Sequence, residues 1–294
     1  MSATGADGAV TGSPNRHPAR LDVEGVGVHF GGVHALAGVS FTAQPGAIVG
    51  LIGANGSGKT TTLDVISGIV PAQAGTVRLD GIGLAEYLPE ERLAIGIVRS
   101  FQDCRLFPEL TVQDVLLLSE DARQEVAVLS TTLRLPWARR REHRKQRAVD
   151  EVIGAFGLER FRHHRTAELS TGTRRVVDLA GIVLSRPRLL LLDEPTAGIA
   201  QREAEAFVPL LRRVHEVADT TIVLVEHDVP LVFELCTDVV VMELGRVVVE
   251  GPPEHVRADS RALAAYLGAS NEALQASGPV SVGGTDDAEH SEGA

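Results

Sequence analysis

The stretch Gly50–Thr62 constrains this chain more than any other. Within it Gly53, Gly58, Lys59 and Thr60 fit the spacing G-x-x-x-x-G-K-[ST], the pattern of a phosphate-binding P-loop. Glycines let the backbone bend until successive N–H groups converge on one anion. The apolar run Ile48–Ile52 ahead of the loop reads as a buried strand, and Thr60–Ser67 behind it reads as a helix. The loop therefore sits at the positive end of that helix. Lys59 offers a compact charge to β- and γ-phosphates, and the Thr60 hydroxyl is placed for Mg2+. Ala54, Asn55, Gly56, Ser57 and Thr61 complete the expected cradle.

A chance match somewhere in a chain of this composition has a probability of roughly 0.002. The lysine usage sharpens the point. Lys59 and Lys145 are the only lysines, and the other cationic side chains are arginines. A wide planar guanidinium cannot replace a point-like ammonium in a tight phosphate cradle.

With 294 residues the chain holds one large domain or two small ones, and 44% hydrophobic content supports a proper core. No apolar run approaches the roughly 18 residues that cross a bilayer, and no signal peptide opens the chain. The expectation is a soluble, cytoplasmic protein whose membrane role comes through a partner. Cys104 and Cys236 lie far apart without metal-ligand spacing and read as reduced thiols. A net charge of −11 argues against a dedicated nucleic-acid binder.

Residues 1–20 read as a disordered leader and 269–294 as an unstructured acidic tail. From Leu21 the alternation Leu21, Val23, Val26, Val28, Phe30 and then Val39, Phe41 reads as short antiparallel strands. Phe30 ends such a strand beside Gly31 and Gly32. An aromatic exposed there can stack on a base, whereas a core phenylalanine is the plainer reading of that residue alone. Gly75–Gly81 reads as another strand, and Gly96–Gln102 as one that leads to an exposed glutamine. Residues 103–165 read as a helical insertion. The basic run Arg134–Arg147 in it is a solvated helix face, or else a contact for anionic lipid headgroups or a partner loop.

Leu169–Thr173 precedes an apolar stretch of helical length, with Ser170 as its N-cap and Gly172 in the first turn. Such an opening presents free N–H groups, a second anion site. Leu189–Leu192 reads as a strand buried on both faces, with Asp193 and Glu194 emerging at its C-terminal end. Open α/β sheets put their ligands at that edge. An acidic pair there suits an aspartate that holds a metal shell and a glutamate that polarises water. Thr221–Val225 repeats the design and leads to His227, which can donate to a phosphate oxygen. Val239–Val249 reads as a hairpin turning at Gly245, and Glu254–Leu267 as one or two short helices.

Taken in order, these residues resemble the nucleotide-binding subunits of ABC transporters over about residues 21–268. Within that family the chain is most similar to the ATPases of branched-chain amino acid uptake. That likeness rests on Phe30-Gly31-Gly32, Arg99-Ser100-Phe101-Gln102, Arg105-Leu106-Phe107, the basic insertion, Val225-Glu226-His227-Asp228 and Ala265-Tyr266-Leu267-Gly268. The resemblance implies an α/β fold: a P-loop ATPase core with an N-terminal antiparallel β portion and an inserted helical subdomain over roughly 103–186. It also implies the ligands and partners. ATP would be bound by Gly53–Thr61 with Phe30 on the adenine. Mg2+ would be held by Thr60, Gln102 and Asp193. Glu194, His227 and Gln102 would serve hydrolysis. Ser170, Thr171 and Gly172 would contact the nucleotide of a second ATP-binding subunit, and transmembrane permease subunits would receive the motion at the inner face of the membrane.

Two departures bear on mechanism. The usual signature has Gly and Gln where this chain has Thr171 and Thr173, and the segment after Glu194-Pro195-Thr196 ends in Ala200 without the common polar residue. Because the family sandwiches ATP head-to-tail, the altered signature would serve the partner's nucleotide. The second subunit is a copy of this chain or a different one; the expectation is a heterodimer in which this chain's own P-loop site hydrolyses fully only if the partner brings a standard signature. A regulatory subunit with weak turnover and a soluble non-transport ATPase are the alternatives.

Overall fold

Alternating burial along the N-terminal segment builds a hairpin. In the computed structural model, which describes residues 17–100, 106–122, 136–197, 207–262 and 264–265, β1 (Leu21–Phe30) pairs antiparallel with β2 (Val33–Ala43). The buried strand β3 (Ile48–Gly53) then leads through the glycine loop into helix α1 (Lys59–Ser67). β4 (Ala74–Leu79) returns antiparallel to β1, and β5 (Ile82–Gly83) pairs with β4. Ahead of β1, Ala19 is fully buried and its N–H donates to the Arg188 carbonyl at 3.0 Å. The docked chain thus begins before Leu21.

Helix α2 (Pro89–Ala94) and strand β6 (Ile97–Arg99) follow. β6 is shorter than its apolar stretch suggests, and Gln102, with Phe101 and Arg105, lies outside the described residues. The insertion supplies α3 (Val112–Ala122) and the basic α4 (Pro136–Ala155), followed by α5 (Thr171–Leu184). Strand β7 (Leu189–Asp193), helix α6 (Phe207–Ala218), strand β8 (Thr221–Val225) and helix α7 (Val229–Leu235) come next. The hairpin β9 (Asp238–Glu243) and β10 (Arg246–Gly251) turns at Leu244 and Gly245, and α8 (Pro253–Ala258) follows it.

Among the described residues the strands form two sheets, ordered β2-β1-β4-β5 and β10-β9-β3-β8-β7-β6. The second is mixed: β9, β3, β8, β7 and β6 run parallel and β10 is antiparallel. Its central strands are apolar on both faces because each face meets a different core. Ile48, Ile52, Leu190, Leu192, Ile222, Leu224, Val239 and Val241 point into a core shared with helices α3 to α8. Val49, Leu51, Leu189, Leu191, Val223, Val225, Val240 and Met242 point the other way, against α1 and the antiparallel sheet. Full burial of each such side chain is worth about 1.5–3 kcal/mol, so these alternating residues fix both layers onto one wall.

Cys236, expected as a reduced thiol, is free and buried, and burial pushes its thiol up to about 12. Cys104 lies outside the described residues.

Candidate active site

The strand order brings three motif-bearing ends side by side. β8 lies between β3 and β7, in register Leu51↔Val225 and Asp193↔Val225. The loop after β3, the acidic pair after β7 and the histidine after β8 therefore open onto one edge, the C-terminal edge of a parallel sheet.

The loop after β3 has a backbone only glycine tolerates. Gly53 has φ 151° and Gly58 φ 102°. A Cβ on Gly53 would stand 2.1 Å from the Met242 carbonyl oxygen, and one on Gly58 would stand 2.7 Å from that of Ala35. Gly58 is also the N-cap of α1 and has no side chain to bond the first turn, which leaves those amides aimed at the loop's concave side. Lys59 is buried at 5% exposure, its ammonium donating to the Gly53 and Ala54 carbonyls at 2.8 and 2.9 Å. Burial holds the Lys59 pKa below the usual lysine value, opposed by the charges of Glu194 and Asp193. The Ser57 hydroxyl is buried without a hydrogen-bond partner among the described residues. Asn55, Gly56 and Thr60 are exposed, while Ala54 and Thr61 are half-buried.

Asp193 closes β7, buried in the sheet. Its Oδ2 accepts from Arg99 Nη2 at 2.9 Å, and Arg99 Nη1 donates to Asp64 Oδ1 of α1 at 2.5 Å. The other Asp193 oxygen, Oδ1, is buried with no partner among the described residues. Arg99 thus ties β6, α1 and β7 together and occupies one Asp193 carboxylate oxygen, leaving the other without a partner among the described residues. Glu194 takes a left-handed backbone, φ 47°, uncommon for a non-glycine residue. Its N–H donates to the Val225 carbonyl at 2.9 Å, and its Oε1 lies 2.7 Å from His227 Nε2. Sequence reasoning expected Lys59, Asp193, Glu194 and His227 to share one edge, and they do.

At the other expected contact, Ser170 caps α5. Its hydroxyl accepts from the Thr173 N–H at 3.2 Å and shares a 2.9 Å hydrogen bond with the Thr173 hydroxyl. Thr171 is exposed and Gly172 half-buried. Phe30 is 53% exposed, so the core reading of that residue fails and an aromatic face is on offer to solvent.

Three residues have roles that the sequence reading did not assign, although it quoted the segments that contain them. Arg99 is one. Arg175 of α5 donates to the Pro195 carbonyl and, at 2.5 Å, to that of Ala197, bracing the segment after Glu194. Glu226 is buried and accepts from Thr196 and His227. For Arg99 and Glu226 the sequence signal was a charged residue inside or beside an apolar strand run; for Arg175, on helix α5, there was none.

Comparison with known proteins agrees with this geometry. Residues 36–197 match the family described as ABC transporter. The high-affinity branched-chain amino acid transport ATP-binding protein BraF of Pseudomonas aeruginosa is 32% identical over 84% of this chain and 97% of its own length. LivG of Escherichia coli K12, a protein of the same description, is 33% identical over the same shares. Among solved structures, the ADP conformation of MJ1267, an ATP-binding cassette of an ABC transporter, superposes with a TM-score of 0.72 at 28% identity, over 85% of this chain and 99% of that one. The chain belongs to the ABC transporter family and has its ATP-binding-cassette fold.

Proposed function

We propose that this chain is an ATP-hydrolysing nucleotide-binding subunit that powers solute uptake through partner transmembrane permease subunits, from the inner face of the cell membrane. One observation carries the reading: the Glu194–His227 pair stands on the same sheet edge as Lys59 and Asp193, with all four groups on adjacent strand ends. The loop Gly53–Thr61 binds the phosphates, and Phe30 stacks on the adenine. Glu194 orients the attacking water and draws its proton. His227, steadied by Glu194, stabilises the γ-phosphate.

Thr60 and Asp193, with Gln102, would hold Mg2+. The buried Asp193 Oδ1, without a hydrogen-bond partner among the described residues, supports that fit, since Mg2+ takes oxygen ligands. When bound, the metal neutralises charge on the phosphate oxygens.

Ser170, Thr171 and Gly172 serve the nucleotide of a second ATP-binding subunit. The Thr173 hydroxyl, bonded to Ser170, is engaged in its own helix cap, which favours a heterodimer whose partner brings a fuller signature. Among the described residues no helix is long and apolar enough to cross a membrane, and the permease subunits supply the spans. The cargo class carried over from BraF and LivG is branched-chain or related amino acids.

Titrating the chain with a fluorescent ATP analogue and Mg2+, then measuring phosphate release with and without its partner subunits, tests the reading. Binding alone with turnover rising on assembly is expected; absence of nucleotide binding overturns it. Full, dimerisation-dependent turnover by this chain alone would remove the heterodimer.

A further inference from the structure

Glu226 stands between Val225, the last residue of β8, and His227. It is 3% exposed. Its Oε1 accepts from the Thr196 N–H at 2.9 Å and from the Thr196 hydroxyl at 2.6 Å, and its Oε2 accepts from the His227 N–H at 3.1 Å. A carboxylate placed in the interior is costly unless its lone pairs are met. Here they are met by donors on the two loops that carry Glu194 and His227, and among the described residues by no cation. Those loops are 30 residues apart in the chain, from Thr196 to Glu226.

We infer that Glu226 is a positioning residue that clamps the loop after β7 to the loop after β8 and so sets the distance between Glu194 and His227. The inference rests on the ATPase reading above. Thr196 is two residues from Glu194, whose left-handed backbone, φ 47°, is strained for a non-glycine residue and persists only where its surroundings over-determine it. Among the bonds that hold it are Glu194 N–H to the Val225 carbonyl at 2.9 Å, Ala197 N–H to the Glu194 carbonyl at 3.0 Å, the Arg175 brace on the Pro195 and Ala197 carbonyls, and the Glu226 clamp on Thr196. With both loops pinned to one carboxylate, Glu194 Oε1 and His227 Nε2 meet at 2.7 Å.

Carboxylate chemistry makes the clamp separable by substitution. A carboxamide accepts at one oxygen only. Glu226→Gln keeps the volume and the Thr196 arm but turns an N–H group against the His227 N–H. Thr196→Val removes the hydroxyl arm alone, and Thr196→Ser restores it.

The test uses the full chain with 15N-labelled histidine. Glu194→Gln serves as the reference for a His227 ring that has lost its carboxylate partner. In Glu226→Gln the His227 ring signals are expected to shift toward that reference while the other histidines stay in place. Turnover is expected to fall about tenfold or more while the dissociation constant for Mg-ATP stays within about threefold, a split that a general loss of structure does not produce. Thr196→Val should show a smaller loss and Thr196→Ser a rate within about twofold of the parent; this pair decides alone should Glu226→Gln fold poorly. Unmoved His227 signals with parental turnover, or a loss of nucleotide affinity equal to the loss of rate, overturns the clamp. Failure of the parent chain to bind nucleotide would instead refute the ATPase reading, and the ring signals would still decide the clamp.

Discussion

The strand-end edge and the N-terminus of α5 are both candidate anion sites, yet they are built in opposite ways. At the edge every charged group is braced from another element: Lys59 by loop carbonyls, Asp193 by Arg99, Glu194 by His227. At α5 the bonds that Ser170 and Thr173 make are local to one turn, and Thr171 faces solvent. A site assembled from several strands is rigid before its ligand arrives. A helix terminus held only by its own cap is a half-site that waits for something opposite it. That contrast is what a nucleotide shared between two subunits requires.

The largest expected effect tests whether the edge is self-sufficient. Lys59→Ala should weaken nucleotide binding by about a hundredfold or more, since it removes a buried charge on the phosphates; a fluorescent-nucleotide titration checks it. Glu194→Gln should leave binding within about threefold, lower turnover about a hundredfold, in the range of a lost general base, and stabilise the ATP-closed dimer in size-exclusion chromatography. Retained turnover in that variant would take Glu194 out of its role.

On the α5 side the effects are in stability. Burial raises the pKa of Asp178 to about 6, partly opposed by Arg175. A carboxyl raised in the folded state is charged at a cost above that value, so its contribution to stability is full below about pH 4 and is lost as pH rises through about 6. Asp178→Asn should therefore be more stable than the parent at pH 7.5, by about 2–3 kcal/mol at most, with the advantage vanishing below about pH 4 in thermal melts. Ser170→Ala should cost about 1 kcal/mol through the lost cap. If α5 serves a facing subunit, the same change should lower the partner's turnover and leave this chain's own nucleotide affinity intact.

What could be read in advance follows the same divide. β3, β7 and β8 were legible because each joins an apolar run to a chemically specific end at Gly53, Asp193 or His227. Ser170 was legible as a cap because capping is local. The braces were not. Arg99 and Asp193 are 94 residues apart and Arg175 lies 20 from Pro195, and no local period announces such pairs. Helix α7 was not anticipated: it is short, and Pro230 stands in its first turn after the Asp228 cap, a position where proline is tolerated. Phe30 stayed ambiguous because a hydrophobic side chain at a strand end states its type and not its exposure.

The leucines of β7 carry a consequence of their own. Leu189 and Leu191 face one core while Leu190 and Leu192 face the other. Sliding the strand by one residue would exchange leucine for leucine at three of the four buried positions and bring Arg188 or Asp193 to the fourth, so the leucines among themselves do not tell the right alignment from the wrong one. The choice falls to the polar groups at its two ends: the Arg188 N–H on the Gly96 carbonyl with the Arg188 guanidinium on Asp80, and Asp193 on Arg99. A slip would carry the acidic pair about 3.3 Å along the sheet, enough to misplace it. In this molecule salt bridges at the margins calibrate a ruler whose own graduations are all alike.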